Sequence, residues 1–393
     1  MLTSGGGEMH IAGVVAEYNP FHNGHRYHLE KTRELGADRI VVVMSGDVVQ
    51  RGDVAIYSKY DRAQIAIDQG ADLVIELPAP YSCSCAQVFA LNAMRLFAGL
   101  GEGVVNSISF GCACASAELL EKAQSECEKL SDSEVFKELI SSGLSYPAAM
   151  QAAAEKNCSD IKNVLNDANN ILGIEYINAA KSVAPWIKLM CIQRSGALHD
   201  DLEVSDGFAS ATMIRKMIKL GSDLSSVVPQ LPQSEPAFIE NMDKALLFRI
   251  ITADEDLVEE LPFITKSLEN RFFKAVQSGP KSVAKFEESV KSRDITMARI
   301  RRMVIHLALG INAQDMQIPV PYARILAMSS KGTDILSAAG SRTLNYDTSL
   351  SKLETDNDCR RVAQLECNAV RLREMCAGQL PQNEYTRKFV IRK

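Results

Sequence analysis

The sequence predicts an α/β fold: a Rossmann-like parallel sheet covered by helices on both faces, followed by a mainly α-helical C-terminal domain. Three observations carry that prediction. Short apolar, β-branched runs alternate with helical stretches from Ile11 onward, the order expected of a parallel sheet with crossover helices. The first run ends in a turn that carries a pair of histidines and a glycine directly ahead of a helix. From about Asp223 the alternation stops and the apolar pattern becomes helical.

Ile11 to Ala16 is an apolar run rich in β-branched residues and reads as a buried strand. Asn19-Pro20 ends it, because proline removes a donor and restricts the residue before it. His22-Asn23-Gly24-His25 follows, and Arg26 to Leu35 reads as a helix. A helix N-terminus offers unpaired N–H groups and partial positive charge, a seat for phosphate. Gly24 lets the backbone approach a ligand. Two imidazoles there can donate to phosphate oxygens and stabilise charge developing on a leaving pyrophosphate. Taken alone, the pair could be surface histidines in a turn. The strand before it, the helix after it and Asn-Pro-Phe between them favour the phosphate reading.

Arg39 to Met44 is the second strand. It ends in a small-residue loop, where open α/β sheets place ligands, so Ser45, Gly46 and Arg51 are candidate phosphate or substrate contacts. Lys59, opening a helix to Gln69, is another. Asp72 to Leu77 is the third strand, Ser84 to Ala98 a helix, and Val104 to Phe110 the fourth strand, ending at Gly111. Residues 116–155 read as helical. Asn169 and Asn170 open a helix to Lys181, and since asparagine is a good N-cap, one of them is explicable by structure alone. Ile187 to Ile192 is the fifth strand, ending in Gln193-Arg194. Ser210, Thr212 and Arg215 open a further helix, either as caps or as a second phosphate seat built from hydroxyls, backbone N–H groups and a guanidinium.

These elements divide the chain into residues 9–222 and 223–393, with residues 1–8 outside the fold. In the second part, Pro229, Pro232 and Pro236 mark a linker, and helices are expected at Leu246–Ile251, Thr265–Val276, Val283–Val290 and Thr296–Leu309. Ile318-Pro-Val-Pro-Tyr322 interrupts the helical pattern; Ile325–Ser329 and the residues near Leu350 are too short to assign.

At 393 residues the chain has room for two domains of about 150 residues each. Its 46% hydrophobic and 23% charged content is that of a globular protein. No run reaches the roughly 20 apolar residues of a membrane span, and Met1 to Glu8 has no apolar signal core. The expectation is a cytoplasmic protein with no membrane partner. The close cysteine pairs, Cys83/Cys85 and Cys112/Cys114, lack zinc spacing and read as free thiols, so no metal ligand is assigned. A net charge of −6 argues against capture of nucleic acid by bulk charge but leaves room for a local basic face. Arg299, Arg301 and Arg302 are the best candidates, because a helix turns about 100° per residue and sets Arg299 and Arg302 on one side. The competing reading is salt bridging to neighbouring helices.

The turn resembles the HxGH signature of the nucleotidylyltransferase superfamily. Beyond it, the segments AEYNPFHNGHRYHL, MSGDVVQRGDVAIYSKYDRA, GADLVIELP, ISFG, NNILGIEYINAA, IQRSGALHDD, ASATMIRK, TMARIRRMVIHLALGI and PYARILAMSSKG resemble, in that order, the tRNA(Met) cytidine acetate ligases of bacteria. The likeness runs from about Met9 to at least Leu336. It departs at Cys112-Ala-Cys114, where a small polar residue and an acid are expected, at Ala168, where proline is common, and across residues 335–380.

The resemblance implies an ATP-dependent ligase. It would activate acetate as acetyl-AMP and transfer the acetyl group to N4 of the wobble cytidine of elongator tRNA(Met), releasing pyrophosphate and AMP. His22 and His25 would be catalytic. ATP would be bound by Val14, Val15, Ala16, Glu17, Tyr18, Asn19, Pro20, Phe21, His22, Asn23, Gly24 and His25, with Gly111, Asn169 or Asn170, Arg194, Ser210, Thr212 and Arg215. Mg²⁺ would be held mostly through the triphosphate and water rather than by a carboxylate cage. No protein partner is predicted. The alternatives are another nucleotidylyltransferase or a small-acid/amine ligase acting on a small molecule. A non-enzymatic RNA-binding protein is the remaining one, and it would lack a histidine or the Ser-Ala-Thr-x-x-Arg turn.

Overall fold

The apolar runs form strands in the order read from the sequence. β1 (Ile11–Ala16), α1 (Asn23–Glu34), β2 (Arg39–Ser45), a small hairpin of β3 (Val48–Val49) and β4 (Asp53–Val54), α2 (Lys59–Asp68), β5 (Leu73–Leu77), β6 (Ser107–Cys112) and β7 (Lys188–Gln193) follow one another. The later chain adds β8 (Tyr322–Ser329), β9 (Asn345–Asp347) and β10 (Val390–Arg392). The computed structural model describes residues 9–114, 116–142, 144, 146–158, 161–193, 207–339, 341–387 and 390–392.

The main sheet has the order β10-β8-β5-β2-β1-β6-β7, with β9 also paired to β8. β1 lies parallel to both β2 and β6, so the strand order reverses there. That reversal opens a crevice at the carboxyl ends of β1 and β6. Along β2 the side chains alternate between cores. Val41 and Val43 face one core with Leu73, Ile75 and Phe97; Ile40, Val42 and Met44 face the other with Leu29 and Ile65.

Several sequence expectations are corrected. The sheet is mixed rather than wholly parallel: β8 runs antiparallel to β5, pairing Leu73 with Met328. Its sequence hid it, since Tyr322 to Ala327 is one continuous buried run behind a proline-rich lead, with no alternation to mark a strand. Beyond residue 222, therefore, the chain does not leave the sheet. It does build a separate helical core, in which Ile250, Leu268, Phe272, Phe286, Ile300 and Met303 are buried together. Val104 to Asn106 is a turn, because the Asn106 side chain accepts from the Ile11 N–H at 2.7 Å and donates to the Gly103 carbonyl at 2.9 Å. The helical stretch 116–155 is divided into Ala117–Ser131, Glu134–Ser141 and Tyr146–Asn157. Ser116 and Ser133 cap the first two. No helix among the described residues is long and apolar enough to cross a membrane.

The later chain is tied to the sheet by a buried charge cluster. Lys59 Nζ lies 2.5 Å from Glu76, 2.9 Å from Glu366 and 2.8 Å from Glu384, and all four side chains are buried. Arg324 donates to Glu384 at 2.6 Å, and so does the Tyr60 hydroxyl. Glu366 also accepts from the Ala79 N–H at 2.7 Å. Burial works against the Lys59 charge, but the three carboxylates outweigh it and hold its pKa well above the ordinary value. Replacing Lys59 with Met leaves those carboxylates without their shared cation. The expected loss is about 3–5 kcal/mol, the cost of breaking a buried ion pair from one side. Equilibrium denaturation of Lys59→Met against the parent checks it, and an unchanged midpoint would refute it.

Candidate active site

At the end of β1 the chain turns into α1 through Tyr18, Asn19-Pro20, Phe21 and His22. Tyr18 is buried with φ 48°, a conformation rare for a residue with a large side chain. Its ring packs 4.7 Å from Phe21 and 4.8 Å from His25. His22 is the N-cap of α1, and His25 completes a reciprocal capping box. His22 Nδ1 accepts from the Gly24 N–H at 3.1 Å, and His25 Nδ1 accepts from the His22 N–H at 3.2 Å. Each ring thus uses Nδ1 as an acceptor, which puts its proton on Nε2. The rings stack with centroids 3.8 Å apart. Gly24 is needed for this, since a Cβ there would lie 2.9 Å from His22 Cε1.

These residues line a cavity of about 570 Å³ at the carboxyl ends of β1, β6 and β7. Val15, Ala16, Glu17, Tyr18, Asn19, His22, Gly24 and His25 form one wall. Gly111, Asn169, Ser210, Thr212 and Arg215 line the same cavity. Ser210 caps the helix Ala211–Lys219 by accepting from the Met213 N–H. Arg215 donates to the Asn19 carbonyl at 2.8 Å and to Thr212 Oγ1 at 3.2 Å, bracing this turn against the histidine turn. The two phosphate seats expected from the sequence therefore face a single cavity.

The two asparagines occupy different surroundings. Asp167, not an asparagine, caps the helix Ala168–Val183. Asn170 is buried, accepting from the Ala113 N–H at 3.0 Å and donating to the Val164 carbonyl at 3.2 Å. Asn169 lines the cavity, and its amide nitrogen is shielded from solvent with no hydrogen-bond partner in the structure.

Other expected contacts lie elsewhere. Val14 and Phe21 are core residues, and Pro20 is not among the lining residues. Asn23 clamps α1 to the later chain by donating to the carbonyls of Gly207 and Ser226. Ser45 is buried, Gly46 packs on Glu366, and Lys59 belongs to the buried cluster, so none of the three reaches the cavity; Arg51 does. Arg194 lies outside the described residues. The basic cluster is also split. Arg299 donates to the Phe263 carbonyl and Arg302 to the Gln50 carbonyl, while Arg301 lies at the cavity, half exposed, and pairs with Glu287 of the neighbouring helix Val283–Val290 at 3.4 Å, as the salt-bridge reading expected.

Sequence reasoning missed His28 and Asp53, both of which line the cavity. His28 lies two turns into α1 and contacts Ser109 Oγ at 3.0 Å; burial lowers its pKa to about 4, so it is neutral at physiological pH. Burial raises the Asp53 carboxyl to about 6. Helical spacing from His25 could have revealed His28, three residues later on the same face. Nothing local marked Asp53.

A strand-to-helix turn with paired imidazoles at the switch point of an α/β sheet defines a nucleotidyl transferase site. The family described as HIGH Nucleotidyl Transferase matches residues 9–388. The tRNA(Met) cytidine acetate ligase of Clostridium tetani is 35% identical over 353 residues, covering 84% of this chain and 87% of that one. The enzyme of the same name from Acetivibrio thermocellus is 31% identical, covering 98% and 100%. The crystal structure of Thermotoga maritima TmcAL in its apo form I superposes with a TM-score of 0.84 at 30% identity, covering 97% of each chain. TmcAL bound with alpha-thio ATP gives 0.83 at 28% identity, covering 98% of this chain and 100% of that one. The chain belongs to the tRNA(Met) cytidine acetate ligase family, and it is an enzyme.

The two asparagines separate stability from ligand binding. Asn170→Ala is expected to cost about 1–3 kcal/mol, because it leaves buried backbone groups unpaired. Asn169→Ala should stay within about 0.5 kcal/mol of the parent while weakening ATP binding. Denaturation paired with ATP titration checks this, and equal destabilisation by both changes would refute it.

Proposed function

We propose that the protein activates acetate with ATP as acetyl-AMP and then acetylates N4 of the wobble cytidine of elongator tRNA(Met), releasing pyrophosphate and AMP. The observation that carries this reading is the stacked His22–His25 pair, with its protons on Nε2, at a cavity that Arg215 and Asn169 also line. Acetate is a poor acyl donor, and its oxygen attacks the α-phosphate only if the growing negative charge is met by fixed donors. The Nε2–H groups and Arg215 are such donors, held in place before the reaction begins. No covalent intermediate with the protein is needed.

Magnesium would supply charge screening for the triphosphate. Among the described residues no group of three or more His, Cys, Asp or Glu side chains could hold a metal ion. Held mostly through phosphate oxygens and water, the cation would need no cage of protein carboxylates. The tRNA reading draws support from Arg301, which the later helices deliver to the rim of the same cavity.

Pyrophosphate release with ATP, acetate and tRNA, followed by mass spectrometry of the tRNA nucleosides, tests the whole reading. No acetylated cytidine in that assay would refute it. Within it, His25→Ala should slow acetyl-AMP formation by on the order of 10²-fold or more, the scale of removing one preorganised donor. It also removes half of the capping box, so a loss of about 1 kcal/mol in stability should accompany it. Unchanged acetyl-AMP formation would exclude His25 from the step.

Of the arginine cluster, Arg301 is assigned to the tRNA backbone. Arg301→Ala should reduce the slope of log affinity against log salt by about 0.7–0.9, the signature of one lost phosphate contact. A salt titration of tRNA binding gives the slope, and an identical slope in parent and variant would remove Arg301 from the interface.

A further inference from the structure

A further element lines the cavity, the β3–β4 hairpin. The hairpin contributes Gln50, Arg51 and Asp53 to the lining, and Arg301 lines the cavity with them. This hairpin is held rigidly. The Gln50 N–H donates to Glu17 Oε1 at 2.8 Å, and the Gln50 carbonyl accepts from Arg302 at 3.1 Å. Between them Gly52 has φ 79° and presses on the helix Met297–Leu309, where a Cβ would stand 2.4 Å from the Arg302 nitrogen. Only glycine allows that approach. Asp53 comes next, and its Oδ1 accepts from the Val54 N–H at 2.8 Å, which fixes the carboxylate against the backbone.

The transfer step needs an acceptor for a proton. The exocyclic amine of cytosine attacks the acyl carbon of acetyl-AMP through its nitrogen. The new C–N bond forms, the bond from that carbon to the phosphate oxygen breaks, and AMP departs with the electron pair. One N4 proton must leave the nitrogen. His22 and His25 are poorly suited to take it, because each ring holds its proton on Nε2 while Nδ1 accepts from a backbone N–H. The Glu17 carboxylate is engaged in holding the hairpin.

We propose that Asp53 is the general base of this transfer: its carboxylate receives the N4 proton as the amine attacks. The proposal rests on the ligase reading above. The charged and titratable groups around Asp53 agree with the role. Arg215 and Arg301 favour its ionised form, and Glu240 opposes it. The thiols of Cys83 and Cys376 also lie within electrostatic reach, but burial holds both up to about 12, so they stay protonated. Burial dominates at Asp53 and raises its carboxyl to about 6. The base form is then populated above that pH, while the group stays more basic than an exposed aspartate.

The test is single-turnover transfer from supplied acetyl-AMP to elongator tRNA(Met), followed across pH in the parent, Asp53→Asn and Asp53→Glu. The parent rate should rise as pH passes about 6 and then level. Asp53→Asn should be slower by about 10²–10⁴-fold, with that rise gone, and Asp53→Glu should recover part of both rate and rise. Acetate-dependent ATP–pyrophosphate exchange on the same proteins should fall far less than transfer, which also shows that the variants are folded. Transfer by Asp53→Asn within about threefold of the parent, with the same pH rise, overturns the assignment. So does an equal loss of exchange and transfer. A parent that exchanges pyrophosphate but never acetylates tRNA from acetyl-AMP overturns the ligase reading itself.

Discussion

One buried ammonium holds together parts of the chain that are far apart in sequence. Lys59, at the start of α2, binds Glu76 on β5, Glu366 on the helix Asn357–Cys376 and Glu384 near the C-terminus. Removing four charges from water is costly, and their attraction offsets that cost only if each keeps its partners. This is a constraint of position more than a source of stability. The long helix and the C-terminal turn Glu384–Thr386 must lie where their carboxylates reach Lys59. The hairpin that lines the cavity packs on the same elements, with Val48 and Val54 buried against Ile305, Leu365 and Leu372. The cavity's second wall thus depends on a cluster that never touches a ligand.

The first wall depends on local chemistry instead. His22 and His25 satisfy the orphan donors of α1, and the same hydrogen bonds set their tautomers. Folding and ligand chemistry use the same atoms there. Arg215 then ties the helix Ala211–Lys219 to this wall by donating to the Asn19 carbonyl. The result is a cavity whose donors are aligned before anything enters it.

Much of this was legible in the sequence, and the rest was hidden for identifiable reasons. The five strands from β1 to β7 that carry the apolar runs, and the histidine turn, were readable because strand runs, proline and glycine act over a few residues. Asn169 and Asn170 could not be told apart, since their difference lies in what Ala113 and Val164 present across the fold. Lys59 looked like a phosphate ligand because its partners Glu366 and Glu384 are some three hundred residues away. The arginines of the helix Met297–Leu309 are separated by the hairpin that packs on one of them, a contact with no local signature. β8 failed to register because a strand buried throughout shows no alternation.

The antiparallel seat of β8 also bears on how the chain is made. β5 borders β2 on one edge and β8 on the other, through pairs such as Leu73 with Met328. On the ribosome that edge is exposed from the moment β5 emerges until residue 329 follows. At about 5–20 residues per second this lasts on the order of tens of seconds. An open strand edge templates pairing with other chains. The nascent protein must therefore cross an aggregation-prone interval that its finished structure no longer shows, and crossing it safely calls for a chaperone or fast elongation through the helical segment.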